Sequence, residues 1–131
     1  MSDTVTRDKI DELLAFLPAF EDPDTAFIEE WVVKPGRIPY PVYSADVRTF
    51  FMLAGRHWWC DFDYQSNDAG KIVRDDQRIA NATLSEVKTI LTFCVRGERF
   101  ADGHWGSVLQ EGRIQALLRR LAELRDSVPA T

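Results

Sequence analysis

Cysteine is scarce in this chain. There are two, Cys60 and Cys94, with no CxxC pair, so neither a disulfide framework nor a cysteine-rich zinc module is expected. Both sit among apolar neighbours (Trp58, Trp59 and Phe62; Leu91, Phe93 and Val95), where free cysteine serves as a small core residue. Long apolar runs are missing too. The longest, Leu13 to Leu17 and Phe50 to Ala54, are far short of the roughly 20 residues that cross a bilayer. No basic-then-apolar leader opens the sequence. Together these absences predict a soluble protein of a reducing cytoplasm, without a membrane partner. The only histidines are His57 and His104, too few for the recurring ligand spacings of zinc sites, so no metal and no cofactor is expected. The zincin helix, the phosphate-cradling glycine loop and the nucleophile elbow are also absent.

Basic residues are outnumbered, 16 against 21 acidic, for a net charge of −5. Residues 1–30 carry nine acidic and two basic side chains, a balance of −7. Residues 71–131 carry ten basic against eight acidic, a balance of +2. No concentrated basic stripe exists, so nucleic acid is not an expected partner. The split charge suits either self-association or complementarity within the molecule.

What remains is ordinary globular composition: 131 residues, 45% hydrophobic and 28% charged, the size of one domain. We read residues 1–131 as a single domain, with 1–5 and 127–131 frayed. The pattern predicts a mainly α fold of about five helices with a short extended segment near 57–64.

Ile10, Leu13, Leu14 and Leu17 keep helical spacing until Pro18. Residues 23–33 read as a short helix ending before the turn pair Pro35-Gly36. Pro39 and Pro41 hold 38–42 extended. Ser44 is placed to cap a helix with Val47, Phe50, Phe51 and Ala54 on its buried stripe. Alternation of Trp58, Cys60, Phe62 and Tyr64 with His57, Trp59, Asp61 and Asp63 then predicts a strand. In that strand Trp58 is buried and Trp59 points the opposite way, either exposed or covered by a second layer of the same protein, and Trp105 belongs to the core. Residues 65–80 read as loop. Thr83 and Glu86 fit a capping box ahead of Leu84, Val87, Ile90, Leu91, Cys94 and Val95. A short helix near 102–110 ends at Gly112. A last helix carries Ile114, Leu117, Leu118, Leu121 and Leu124 on its inner face.

Asp61-Phe62-Asp63 begins like a calcium loop but has Ser66 and Ile72 where the sharp-turn glycine and closing glutamate are needed. These carboxylates are therefore expected on a solvated outer face. The densest polar group is Arg96, Glu98, Arg99, Asp102 and His104, beside Phe100 and Trp105. Read as a ligand-binding site, it offers charges of both signs to an anion, or a Glu/His pair for proton transfer. Read as structure, Glu98 pairs with an arginine, Asp102 caps the next helix and Gly103 permits a tight junction.

The run Arg96-Gly97-Glu98-Arg99-Phe100-Ala101-Asp102-Gly103 resembles the Arg-x-Glu-Arg-Phe-x-x-Gly signature of an uncharacterised bacterial family, DUF6508. Pro39-Tyr40, Phe62-Asp63-Tyr64 and the closing Leu118-to-Leu121 helix follow the same order, so the likeness spans about Leu13 to Leu124. Ala101 stands where many relatives are expected to hold cysteine, which argues against a cysteine-dependent mechanism. The resemblance implies a helical layout and directs attention to Glu98, Arg99 and Gly103; it implies no activity. Function is thus not readable from the residues alone. The leading expectation is a non-catalytic interaction module that self-associates or docks on another protein. The alternative is a small-ligand binder or enzyme with its site at 96–104.

Overall fold

The computed structural model describes residues 4–130. Its helices are α1 (Arg7–Leu14), α2 (Leu17–Glu21), α3 (Ala45–Ala54), α4 (Ala69–Ile72), α5 (Asp76–Ala80), α6 (Leu84–Gly97), α7 (His104–Gln110) and α8 (Arg113–Leu124). Strands β1 (Ile28–Val32) and β2 (Tyr40–Tyr43) form one antiparallel pair. The fold is mainly α, as the periodicity predicts, and forms a single small domain.

The two strongest helical patterns appear as expected. Thr83 and Glu86 close the capping box of α6, with the Thr83 hydroxyl accepting from Glu86 N–H and the Glu86 carboxylate accepting from Thr83 N–H. Ser44 accepts from Val47 N–H to start α3. The inner stripes of α1, α3, α6 and α8 meet in one core around Ile10, Leu13, Phe50, Phe51, Leu91 and Leu118. Each such side chain contributes roughly 1.5–3 kcal/mol when removed from water. Rings extend the core: Phe50 meets Phe16, Phe20 and Phe51 edge-on, while Phe51 stacks on Trp105 at 4.4 Å and 3°. Of the ends expected to fray, residues 1–3 and 131 lie outside the described residues. Val5 and Val128 are buried, and Arg7 N–H donates to the Pro129 carbonyl.

Four local expectations are corrected. Residues 28–32, read as helical, are strand β1. The prolines at 39 and 41 force the following segment to be extended, and an extended segment needs a ladder partner to satisfy its backbone. Ile28, Trp31 and Val32 supply the β-branched and aromatic side chains that suit one. The Pro35-Gly36 turn joins the strands, with Gly36 at φ +75° and Arg37 N–H donating to Lys34 C=O.

Residues 57–64, read as a strand, instead begin with a 3-10 turn, His57–Trp59, and continue as turns. Alternation alone makes no strand without a neighbour to pair with. The turn reverses the tryptophans: Trp59 is fully buried, whereas Trp58 is only partly covered and lies beneath Lys9 Nζ at 4.4 Å.

Asp61 is not a solvated outer-face residue. Its carboxylate accepts from Thr89 Oγ1 at 2.5 Å, Asn67 Nδ2 at 2.9 Å and Asp63 N–H at 2.9 Å, and its own N–H donates to Thr92 Oγ1. It staples the loop to α6. Partial burial would raise its pKa, but the bonds from Thr89, Asn67 and Asp63, with the charge of Lys88, hold it below the ordinary 3.8. Finally, the supposed loop 65–80 contains α4 and α5. Asp75 caps α5 by accepting from the Gln77 and Arg78 N–H groups; Ile72, Val73 and Ile79 are buried.

Candidate functional site

The 96–104 junction joins α6 to α7. Gly97, the last residue of α6, is needed for close approach: a Cβ there would sit 2.3 Å from the His104 ring. Gly103 has φ +93°, a left-handed conformation that L side chains rarely adopt. A Cβ on Gly103 would also press on Trp31 at 3.0 Å, so this turn seats the hairpin against α7.

Helix α7 follows Gly103, its N-cap residue, which has no side chain to cap it. Glu98 supplies one from the turn. Its Oε2 accepts from Gly103 N–H at 3.0 Å and its Oε1 from Trp105 N–H at 2.9 Å. The same Oε1 accepts from the Tyr43 hydroxyl at 2.8 Å, and the Tyr43 oxygen accepts in turn from Gly106 N–H at 3.3 Å. A carboxylate among the first N–H groups of a helix satisfies donors that otherwise have no partner. Burial, reinforced by the bond to Glu98, pushes the Tyr43 pKa well above its usual value, so that proton stays on the phenol. The expected pairing of Glu98 with an arginine is therefore corrected to a cap with a tyrosine bridge. Asp102 is exposed and does not cap α7.

The other charged residues diverge. Arg96 lies over Phe62 at 5.6 Å and Tyr64 at 5.5 Å, a cation–π arrangement. Arg99 is exposed. Arg96 and Arg99 border a recess of about 130 Å³ with Cys60, Thr92 and Val95. His104 meets Phe93 edge-on at 5.4 Å, and its buried Nε2 has no hydrogen-bond partner. Burial lowers the His104 pKa, while the charges of Glu98 and Glu111 pull the other way. The imidazole is thus neutral and packed. Arg96, Glu98, Arg99, Asp102 and His104 are neighbours in sequence but do not converge on one reacting point.

A cavity of about 270 Å³ does open beside the junction, lined by Tyr64, Phe93, Gly97 and Phe100 together with Ala69 and Gly70. Its lining is aromatic and small, with Gln65 as the polar side chain. Sequence reasoning missed Tyr43, Tyr64 and Phe93 as parts of this neighbourhood. Tyr43 lies 55 positions from Glu98, a separation that no local motif reports. Phe93 carried a weak signal, being four residues before Gly97 on the same helix.

Among the described residues, no group of three or more His, Cys, Asp or Glu side chains is placed to hold a metal ion. No helix among them is long and apolar enough to cross a membrane. Comparison with curated proteins and with solved structures gives no match. A family model does match, over residues 5–127, that of the family of unknown function DUF6508, and the chain belongs to that family.

Proposed function

We propose that the protein is a non-catalytic interaction module that pairs with a second copy of itself through the β1–β2 hairpin. The observation that carries this reading is where exposed apolar side chains gather. Val33 is 73% exposed, Ile38 81% and Trp31 49%, all on one hairpin, with Tyr40 beside them. Single exposed apolar residues are commonplace, but a group on one protruding element marks a contact surface. The charge split supports a second copy as occupant, because the acidic residues 1–30 of one chain can meet the slightly basic residues 71–131 of another. The saturated Glu98 carboxylate and the neutral His104 leave no free acid/base pair at the junction, which favours binding over catalysis.

Sedimentation velocity across the micromolar range tests the proposal. A dimer that dissociates on dilution, and that V33S/I38S shifts to monomer without loss of fold, is the expected result. A strict monomer throughout overturns it.

A second reading is favoured by the aromatic cavity: a small flat ligand held between Tyr64, Phe93 and Phe100, with Arg96 alongside for an anionic group. Quenching of ring fluorescence by aromatic carboxylates, lost in F100A, would support that reading; no saturable response would exclude it. For location we propose a reducing bacterial cytoplasm, in keeping with the free thiols of Cys60 and Cys94 and with the resemblance to a bacterial family. A nucleic-acid partner is not proposed, since the net charge is −5.

A further inference from the structure

A second surface, which shares Trp31 with the apolar group on the hairpin, carries features of a recognition groove. It has a volume of about 620 Å³ and runs between the end of α2 and strand β1, with Leu109 and Gln115 also lining it. Four properties of this groove point to the same kind of occupant.

One wall is the outer edge of strand β1. Residues of β1 line the groove and residues of β2 do not. Pro41 lies opposite Trp31 in the ladder, and proline has no N–H to give. The Trp31–Pro41 pair is therefore the non-hydrogen-bonded kind, and the Trp31 N–H and C=O turn away from β2. An open edge of this sort is a template for another extended chain.

The rim is acidic. Glu21, Asp22, Glu29 and Glu30 all border the groove. Glu21 is held by Arg119 at 2.7 Å. Among the described residues Asp22, Glu29 and Glu30 meet no lysine or arginine, so their charge is left for something outside the chain.

A buried acceptor is unspent. Gln115 is only 7% exposed. Its Nε2 donates to the Phe20 and Leu109 carbonyls, at 3.0 and 2.9 Å. Exchanging the amide's O and N would set an oxygen against both carbonyls, so the orientation is fixed. Gln115 Oε1 is then left without a donor, which is unfavourable until one arrives. Phe20, Phe27 and Trp31 complete the lining with apolar rings.

We propose that this groove receives an extended, lysine- or arginine-bearing segment of another protein, laid along β1. The segment's backbone pairs with Trp31, its cations meet Glu29, Glu30 and Asp22, and one donor reaches Gln115 Oε1. This site shares Trp31 with the proposed self-association surface, but Val33 and Ile38 do not line it. Charge selects the partner, and the open edge selects its extended conformation.

Fluorescence anisotropy with a labelled, end-blocked peptide of about seven residues, alternating lysine and valine, tests the proposal. Saturable binding that weakens with salt is expected. The glutamate–valine counterpart should not bind. N-methylation at alternate peptide bonds, which keeps the charge but removes backbone donors, should weaken binding about tenfold, and E29Q/E30Q should do likewise. V33S/I38S should leave peptide affinity unchanged, which separates failure here from failure of the hairpin dimer. Equal binding of the lysine and glutamate peptides would overturn the proposal. So would an affinity indifferent to E29Q/E30Q. Spermine binding as tightly as the peptide, with N-methylation costing nothing, would mean a small-amine site and would equally overturn it.

Discussion

Replacing Glu98 by alanine removes one side chain and orphans three donors. The Gly103 N–H, the Trp105 N–H and the Tyr43 hydroxyl all end on its two oxygens, at 3.0, 2.9 and 2.8 Å. A hydrogen bond to a charged acceptor is worth about 1.5–3 kcal/mol, and loss of a helix cap about 1 kcal/mol. The sites are only partly buried, so water re-solvates some of the freed groups. We expect E98A to cost about 2–4 kcal/mol, a large share of the stability of a domain this size. Y43F should cost about 1–2 kcal/mol, chiefly because the buried Gly106 N–H loses its acceptor. The two residues act through one bond, so the double variant should cost less than the sum, with a coupling of about 1 kcal/mol. Urea unfolding at neutral pH, followed by circular dichroism with linear extrapolation, measures all three at an unchanged slope. If E98A loses under about 0.5 kcal/mol, or if the two costs simply add, Glu98 is not the keystone of this turn.

Four further outcomes test other parts of the structure. G97A should destabilise by about 2–3 kcal/mol, since its new methyl lies 2.3 Å from the His104 ring; H104A on that background should recover part of the loss in thermal melts. Proton NMR should show the His104 ring titrating below 6.5. Because the unfolded chain then binds the proton first, stability should decline as pH falls from about 6.5 towards the folded-state value, and level off below it, with H104F flattening that slope. W59A should cost about 3–5 kcal/mol in the same urea assay and W58A less than half as much, because only Trp59 is fully buried; equal costs would restore the strand. D61N should speed hydrogen exchange across 60–68 by loosening the Thr89 and Asn67 bonds, and the wild-type contribution of Asp61 should be present above pH 3.8 and fade as pH drops through its lowered value.

The junction was legible as a place but not as a mechanism. Its charges, its two glycines and the helices on either side can be read from Arg96 to His104, because a short polar turn between two apolar stripes is a local pattern. Which groups Glu98 satisfies is only partly local: Gly103 and Trp105 follow closely in the chain, but Tyr43 lies 55 positions away. An arginine neighbour was the natural partner by proximity in sequence, yet the chosen donors were the backbone of the next helix and a tyrosine on β2. Those N–H groups have no other acceptor, whereas exposed arginines are well solvated. The same reasoning explains Asp61, whose partners Thr89 and Thr92 sit on α6 about thirty positions away.

Sequence by itself determined the helical class, the Ser44 cap of α3, the capping box of α6, and the inner stripes of α6 and α8. These depend on side chains three or four apart, a relation fixed by the helix repeat before any tertiary contact forms. Tertiary structure alone decided that 28–32 is a strand, that Trp59 rather than Trp58 turns inward, and that Glu98 bonds to Tyr43. An isolated extended segment has no internal hydrogen bonds to hold it, so its state is settled only by the neighbour it finds across space.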